Sequence, residues 1–220
     1  MIKENLNRIK SELSANVTLV AVSKTKPNEA ILEAYNVGQK DFGENYVQEL
    51  VDKHEQLPKD LNWHFIGHLQ SNKVKYIAPF VHLIHGIDSF KLLQEVNKQA
   101  QKNNRVINCL LQIFIAQEET KFGLSFEECE TLLSSPEFKE LKNVNVCGFM
   151  AMASNTENEI QIKKEFKSLK DFHSKILQTT NYELPTLSFG MSSDYKIAIE
   201  EGSTMVRIGS SIFGERNYAK

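Results

Sequence analysis

Cysteine is scarce in this chain, with three among 220 residues, at Cys109, Cys129 and Cys147. An odd number with no CxxC pair argues against a disulfide framework or a zinc ribbon. Cys109 and Cys147 sit in apolar runs (INCLLQIF and VNVCGFM), where a thiol acts as a small hydrophobe. Long hydrophobic runs are also missing. No window approaches the length of a membrane span, and the N-terminus MIKENLNRIKSEL lacks the apolar centre of a signal peptide. Nor does charge of one sign accumulate: 26 Lys and Arg stand against 28 Asp and Glu, for a net charge of −2. No global field then draws the protein to nucleic acid or an anionic membrane. There is no Pro/Gly/Ser-rich linker and no low-complexity tract, so residues 1–220 read as one domain. These absences together predict a soluble protein of the reducing cytoplasm.

What is present is an alternation. Short apolar runs occur at 18–22, 40–43, 63–67, 83–87, 106–115, 144–150, 186–189 and 205–208, with longer amphipathic segments between them. Leu92, Val96 and Ala100 recur at four-residue intervals, as do Ile162, Phe166 and Lys170, with Leu169 beside them. Asp88-Ser89 precedes one such segment, Ser125 with Glu128 opens another, and Pro27 suits the first turn of a helix. Eight strand candidates, each but the last followed by a helix, with an extra helix in front, predict a single (β/α)8 TIM barrel. A doubly wound open sheet is the alternative, but no GxGxxG follows the first strand.

In a barrel of this kind the chemistry gathers at the C-terminal ends of the strands. Those positions hold Ser23-Lys24, Glu44-Asn45, Gly67-His68, Asp88-Ser89, Glu119-Thr120-Lys121, Met150-Ala151-Met152, Gly190-Met191-Ser192-Ser193-Asp194 and Arg207-Ile208-Gly209-Ser210-Ser211. The loops after strands seven and eight commonly form a phosphate site, and Ser192 with Gly209-Ser210 offers hydroxyls and unhindered backbone N–H groups there. Each serine alone could simply cap a helix; two such loops at the expected places favour phosphate. Lys24 at a strand end loses hydration, which frees its amine for Schiff-base chemistry. The competing account is an ion pair with a rim carboxylate, Glu44 or Asp88. A lysine facing a phosphate site suits a phosphorylated carbonyl compound, either pyridoxal phosphate or a sugar phosphate.

Other motifs carry less. His64 and His68 lie on a strand and a turn, so their spacing places no metal, and His82 with His85 does no better. Lys73 and Lys75 read as an exposed helix start. Arg207, between Val206 and Ile208, is expected to point inward, where a guanidinium needs a carboxylate, a phosphate or a ring nitrogen as partner.

The segments LVAVSKTKP, DFGENYVQEL, WHFIGHLQSNKVKYI, HGIDS, EETKFGLS, GFMAMAS and LSFGMSSDYKIAIEEGSTMVRIGSSIFGER resemble the pyridoxal phosphate homeostasis protein family over essentially the whole chain. That resemblance implies the barrel of the alanine racemase N-terminal domain, the fold-type III kind, with pyridoxal 5′-phosphate (PLP) as cofactor. Lys24 would carry PLP as a Schiff base, Ser192, Gly209 and Ser210 would hold the phosphate, and Arg207 would face the pyridine nitrogen. Asn45, Met150 and Met152 would line the pocket. Gln112-Ile113-Phe114 departs from the family pattern, in which an asparagine is expected early in the strand.

An arginine at the pyridine nitrogen keeps it unprotonated and makes the ring a poor electron sink. Racemases of this fold add a second base from a C-terminal domain, for which the nine residues after Ser211 leave no room. The expected function is therefore PLP homeostasis: a monomer that holds PLP and supplies or buffers it, with PLP-requiring apo-enzymes as partners and no efficient catalysis of its own. An amino-acid racemase is the first alternative. A Schiff-base sugar-phosphate aldolase, using Asp88, Glu44 or Tyr46 as acid or base, is the second.

Overall fold

In the first strand, β1 (Thr18–Val22), Leu19, Val20 and Ala21 are buried, and β4 (Leu83–Ile87) is buried along its whole length. Parallel strands covered on both faces have this pattern. The structure, a computed structural model, describes residues 1–118 and 121–215. The remaining strands are β2 (Asp41–Glu44), β3 (Asn62–Phe65), β5 (Ile107–Gln112), β6 (Val144–Met150), β7 (Thr186–Ser188) and β8 (Met205–Ile208). All eight pair in parallel in chain order, and β1 pairs with β8 to close the barrel. This is the (β/α)8 architecture expected from the alternation of the sequence.

The helices are α1 (Ile2–Glu12), α2 (Asn28–Tyr35), α3 (Val47–Gln56), α4 (Val74–Ile77), α5 (Phe90–Lys102), α6 (Phe126–Ser134), α7 (Pro136–Lys139), α8 (Glu159–Thr179), α9 (Tyr195–Glu200) and α10 (Ser210–Phe213). Local signals set several of their ends. The Ser89 hydroxyl accepts from Leu92 N–H, and Ser125 with Glu128 forms a reciprocal capping box at the start of α6. Leu92, Val96 and Ala100 on α5, and Ile162, Phe166 and Leu169 on α8, turn inward to the core. The extra helix α1 is tied to the C-terminal end of the fold, where Asn5 Nδ2 donates to Ile212 O at 3.0 Å and Tyr195 Oη donates to Glu12 Oε2 at 2.5 Å. No helix among the described residues is long and apolar enough to cross a membrane.

Six expectations shift in detail. The second and third strands each begin and end differently from 40–43 and 63–67, and the seventh stops at Ser188 rather than Phe189. The fifth ends at Gln112 because Ile113 leaves the ladder to bridge Leu124. Pro27 is the extended residue before α2, with ψ 161°, rather than part of its first turn. The last strand is followed by a helix after all, the short α10. Glu119 and Thr120 of the fifth strand-end motif lie outside the described residues.

Candidate functional site

The register of β1 on β8 sets Ala21 beside Ile208, so the residues just beyond both strands meet at the C-terminal mouth of the barrel. A cavity of about 320 Å³ opens there. Lys24, Asn45 and Met152 line it from the ends of β1, β2 and β6; Ser192, Arg207, Gly209 and Ser210 line it from the ends of β7 and β8. These are seven of the eight residues expected at the site. The eighth, Met150, lies elsewhere: it is 1% exposed and packs inside the barrel with Val20, Leu83, Leu110 and Met205. Along a strand, residues two apart share a face. Met150 therefore points the same way as Met152 but one layer deeper, below the cavity.

The turn that carries Lys24 is clamped from two elements. The Ser23 hydroxyl donates to Glu44 Oε1 at 2.6 Å, and Lys53 Nζ on α3 donates to Ser23 O at 2.8 Å. Lys53 also pairs with Glu44 Oε1 at 2.8 Å and Glu49 Oε1 at 2.7 Å. On the far side of Lys24, Thr25 N–H donates to the same Glu49 oxygen at 2.6 Å. Thr25 has φ +63°, a left-handed conformation that a β-branched residue rarely adopts and that its surroundings must enforce. Glu44 is fully buried, and its Oε2 has no hydrogen-bond partner among the described residues. Burial drives its carboxyl up to about 7, against the opposing pull of Lys53 and Ser23. The rim carboxylates are thus engaged in their own pairs, Glu44 with Lys53 and Asp88 with His68 at 3.1 Å.

Across the mouth, the β7–α9 loop is shaped by Gly190, whose φ is +98° and whose missing Cβ would come within 2.5 Å of Ala198 Cβ. Met191 N–H then donates to Asp194 Oδ1 at 2.6 Å, and Gly209 N–H donates to Ser192 Oγ at 3.3 Å, which draws the two serine loops together. Lys26 Nζ donates to the carbonyl oxygens of Phe213, Gly214 and Glu215, closing the wall between the first loop and the end of α10.

Arg207 points inward as expected and is 4% exposed. Its Nη1 donates to Ser188 O at 2.6 Å and to Ser188 Oγ at 2.7 Å, and its Nη2 donates to Ala151 O at 3.0 Å. Burial lowers the guanidinium to about 10, opposed by the charge of Asp194, and it remains a cation at neutral pH. Sequence reasoning missed Lys53, Glu49 and Ser188. The four-residue spacing of Glu49 and Lys53 on a helix was a usable signal for that pair; nothing local marks Ser188.

The family described as alanine racemase, N-terminal domain, matches residues 1–217. A pyridoxal phosphate homeostasis protein of Aquifex aeolicus (strain VF5) is 45% identical over 201 residues, covering 91% of this chain and 87% of that protein. The chain belongs to the pyridoxal phosphate homeostasis protein family. Among solved structures, PipY of Synechococcus elongatus PCC7942, with PLP bound, is 34% identical with a TM-score of 0.88, covering 97% of this chain and all of that one. Alanine racemase of Clostridium difficile 630 shares the fold at 15% identity and a TM-score of 0.77, over 99% of this chain and 56% of the racemase. Family membership and barrel therefore agree with the resemblance drawn from the motifs.

Proposed function

We propose that this protein binds PLP in the cavity at the barrel mouth, and supplies or buffers the cofactor in the cell without efficient catalysis of its own. The observation that carries this reading is the meeting of Lys24 with Ser192, Gly209, Ser210 and Arg207 around one cavity of about 320 Å³. The buried Asn45 Oδ1, which has no hydrogen-bond partner among the described residues, further fits a site that expects a polar ligand. PLP supplies an aldehyde that bonds covalently to an amine and a ring that can stabilise negative charge. Lys24 would carry the covalent link, held in place by the clamps on Ser23 and Thr25. Ser192, Ser210 and the N–H groups near Gly209 would bind the phosphate, and Arg207 would donate toward the ring nitrogen. Met152 would line the pocket.

The lining supports holding rather than turnover. Among its described residues there is no carboxylate, imidazole or phenol to serve as a second acid or base beside Lys24. The aldolase reading loses its candidates for the same reason: Glu44 and Asp88 are paired elsewhere, and Tyr46 is 60% exposed outside the lining. A monomer of the cytoplasm, built as one cofactor-binding domain over 1–220 and delivering PLP to apo-enzymes, completes the proposal.

The purified protein should take up PLP and turn yellow, borohydride reduction followed by peptide mapping should fix the cofactor on Lys24, and Lys24→Ala should stay colourless. A wild-type protein that remains colourless with excess PLP would falsify the reading. Racemisation of alanine or serine at ordinary enzyme rates would replace it with the racemase alternative.

A further inference from the structure

A chain of polar side chains crosses the inside of the barrel from its N-terminal to its C-terminal face. At the floor, Asp41 Oδ1 meets His64 Nε2 at 3.0 Å. His64 Nδ1 meets His85 Nε2 at 2.9 Å, and His85 Nδ1 meets Ser188 Oγ at 3.0 Å. Arg207 Nη1 completes the chain by donating to Ser188 Oγ at 2.7 Å. His64, His85, Ser188 and Arg207 are buried, beside the apolar interior cluster of Val20, Leu83, Leu110, Met150 and Met205. Polar groups in such surroundings are stable only when every donor and acceptor is matched.

Matching them sets a direction. A carboxylate only accepts and a guanidinium only donates. Burial, reinforced by His64, Arg207 and His82, holds His85 well below the ordinary imidazole range, so it carries a single hydrogen. Asp41, an acceptor, takes His64 Nε2–H; a His64 ring with no second hydrogen then accepts at Nδ1 from His85 Nε2–H. His85 Nδ1 then accepts the Ser188 O–H, and the oxygen of Ser188 presents a lone pair to Arg207. Every contact is satisfied by this arrangement. Asp41 is further held by Asn62 Nδ2 at 3.1 Å, with His82 and Lys10 as the other charged or titratable neighbours.

We propose that His64 and His85 are positioning residues for Arg207: by committing the Ser188 hydroxyl, they pin one edge of the guanidinium and turn it toward the cofactor ring at the cavity. What Arg207 meets there rests on the PLP reading above; the direction of the relay does not. The inside of the barrel thus connects a half-exposed acid on the floor to the cation at the mouth.

Two measurements test this. Histidine-labelled protein without added cofactor, read by long-range proton–nitrogen NMR, should show both His64 and His85 as Nε2–H tautomers. In PLP-loaded protein, Ser188→Ala and His85→Leu should shift the visible absorption band and release PLP about tenfold faster, the effect of losing one bond to a charged group. His85→Gln, whose amide can accept from Ser188 and donate to His64, should stay within about threefold of wild type. Ser188→Ala changes little volume, so it decides the matter even if His85→Leu does not fold. A His85 hydrogen on Nδ1 overturns the relay, as does a folded Ser188→Ala protein that matches wild type in band and release. A wild type that binds no PLP overturns the proposed function instead, and the tautomers still decide the relay.

Discussion

The Lys53 ammonium donates to the carbonyl oxygen of Ser23 at 2.8 Å, so a side chain on α3 grips the residue immediately before Lys24. The same ammonium neutralises Glu44, which is fully buried and also accepts from the Ser23 hydroxyl. Position and charge at the mouth of β1 are therefore governed by one cation about thirty residues along the chain. A lysine amine intended for covalent chemistry needs a fixed backbone beneath it, because its own stem is flexible.

Lys53→Ala should consequently destabilise the fold by about 3 kcal/mol, the scale of removing one partner from a buried ion pair. Chemical denaturation read by circular dichroism measures the loss, which should be greater at pH 8 than at pH 5. PLP uptake by the folded fraction should weaken as well, because the turn beneath Lys24 loosens.

Glu44 predicts a pH dependence of its own. Its folded pKa is raised to about 7 from the ordinary 4.5, so between these values the folded state holds a proton that the unfolded state has released. Stability contributed by this group is full below about pH 4.5, declines as pH rises, and is lost above about pH 7. The difference amounts to about 3 kcal/mol. Glu44→Gln should flatten that decline in denaturation midpoints taken between pH 5 and pH 8. An unchanged slope would remove Glu44 as its source.

Met150 and Met152 should separate stability from binding. Met150→Ala opens a hole in the barrel interior and should cost about 2–5 kcal/mol, leaving the absorption band of loaded protein in place. Met152 is only half-buried and lines the cavity, so Met152→Ala should barely move the melting temperature while changing PLP affinity. Thermal melts paired with PLP titrations distinguish the two.

Gly190→Ala forces a Cβ onto a backbone with φ +98° and within 2.5 Å of Ala198 Cβ. A loss of about 1–3 kcal/mol is expected from the strain. The loop that presents Ser192 should shift with it, so PLP should dissociate faster than from wild type. Retention equal to wild type would show that the loop does not hold the phosphate.

Much of this was legible along the chain, and particular residues explain why. The run at 18–22 was bounded correctly because burial on both faces leaves a local, unbroken apolar signature. The cap at Ser125 and Glu128 was readable because both partners lie within one helical turn. Ser192, Gly209 and Ser210 could be grouped in advance because every strand of such a barrel ends on the same face. His64 and His85 resisted reading, since their spacing fits no ligand motif and their partners come from four different strands.

By itself, the sequence determined the eightfold alternation, the inward arginine of β8 and the polar character of each strand end, because these depend on periodicity and neighbours a few residues apart. Only the tertiary structure decided that Met150 lies below the cavity and Met152 on it, and that Lys53 pairs with Glu44. It alone revealed the path from Asp41 to Arg207. Those outcomes depend on strand register and on closure of β1 against β8, which bring together side chains that no local pattern relates.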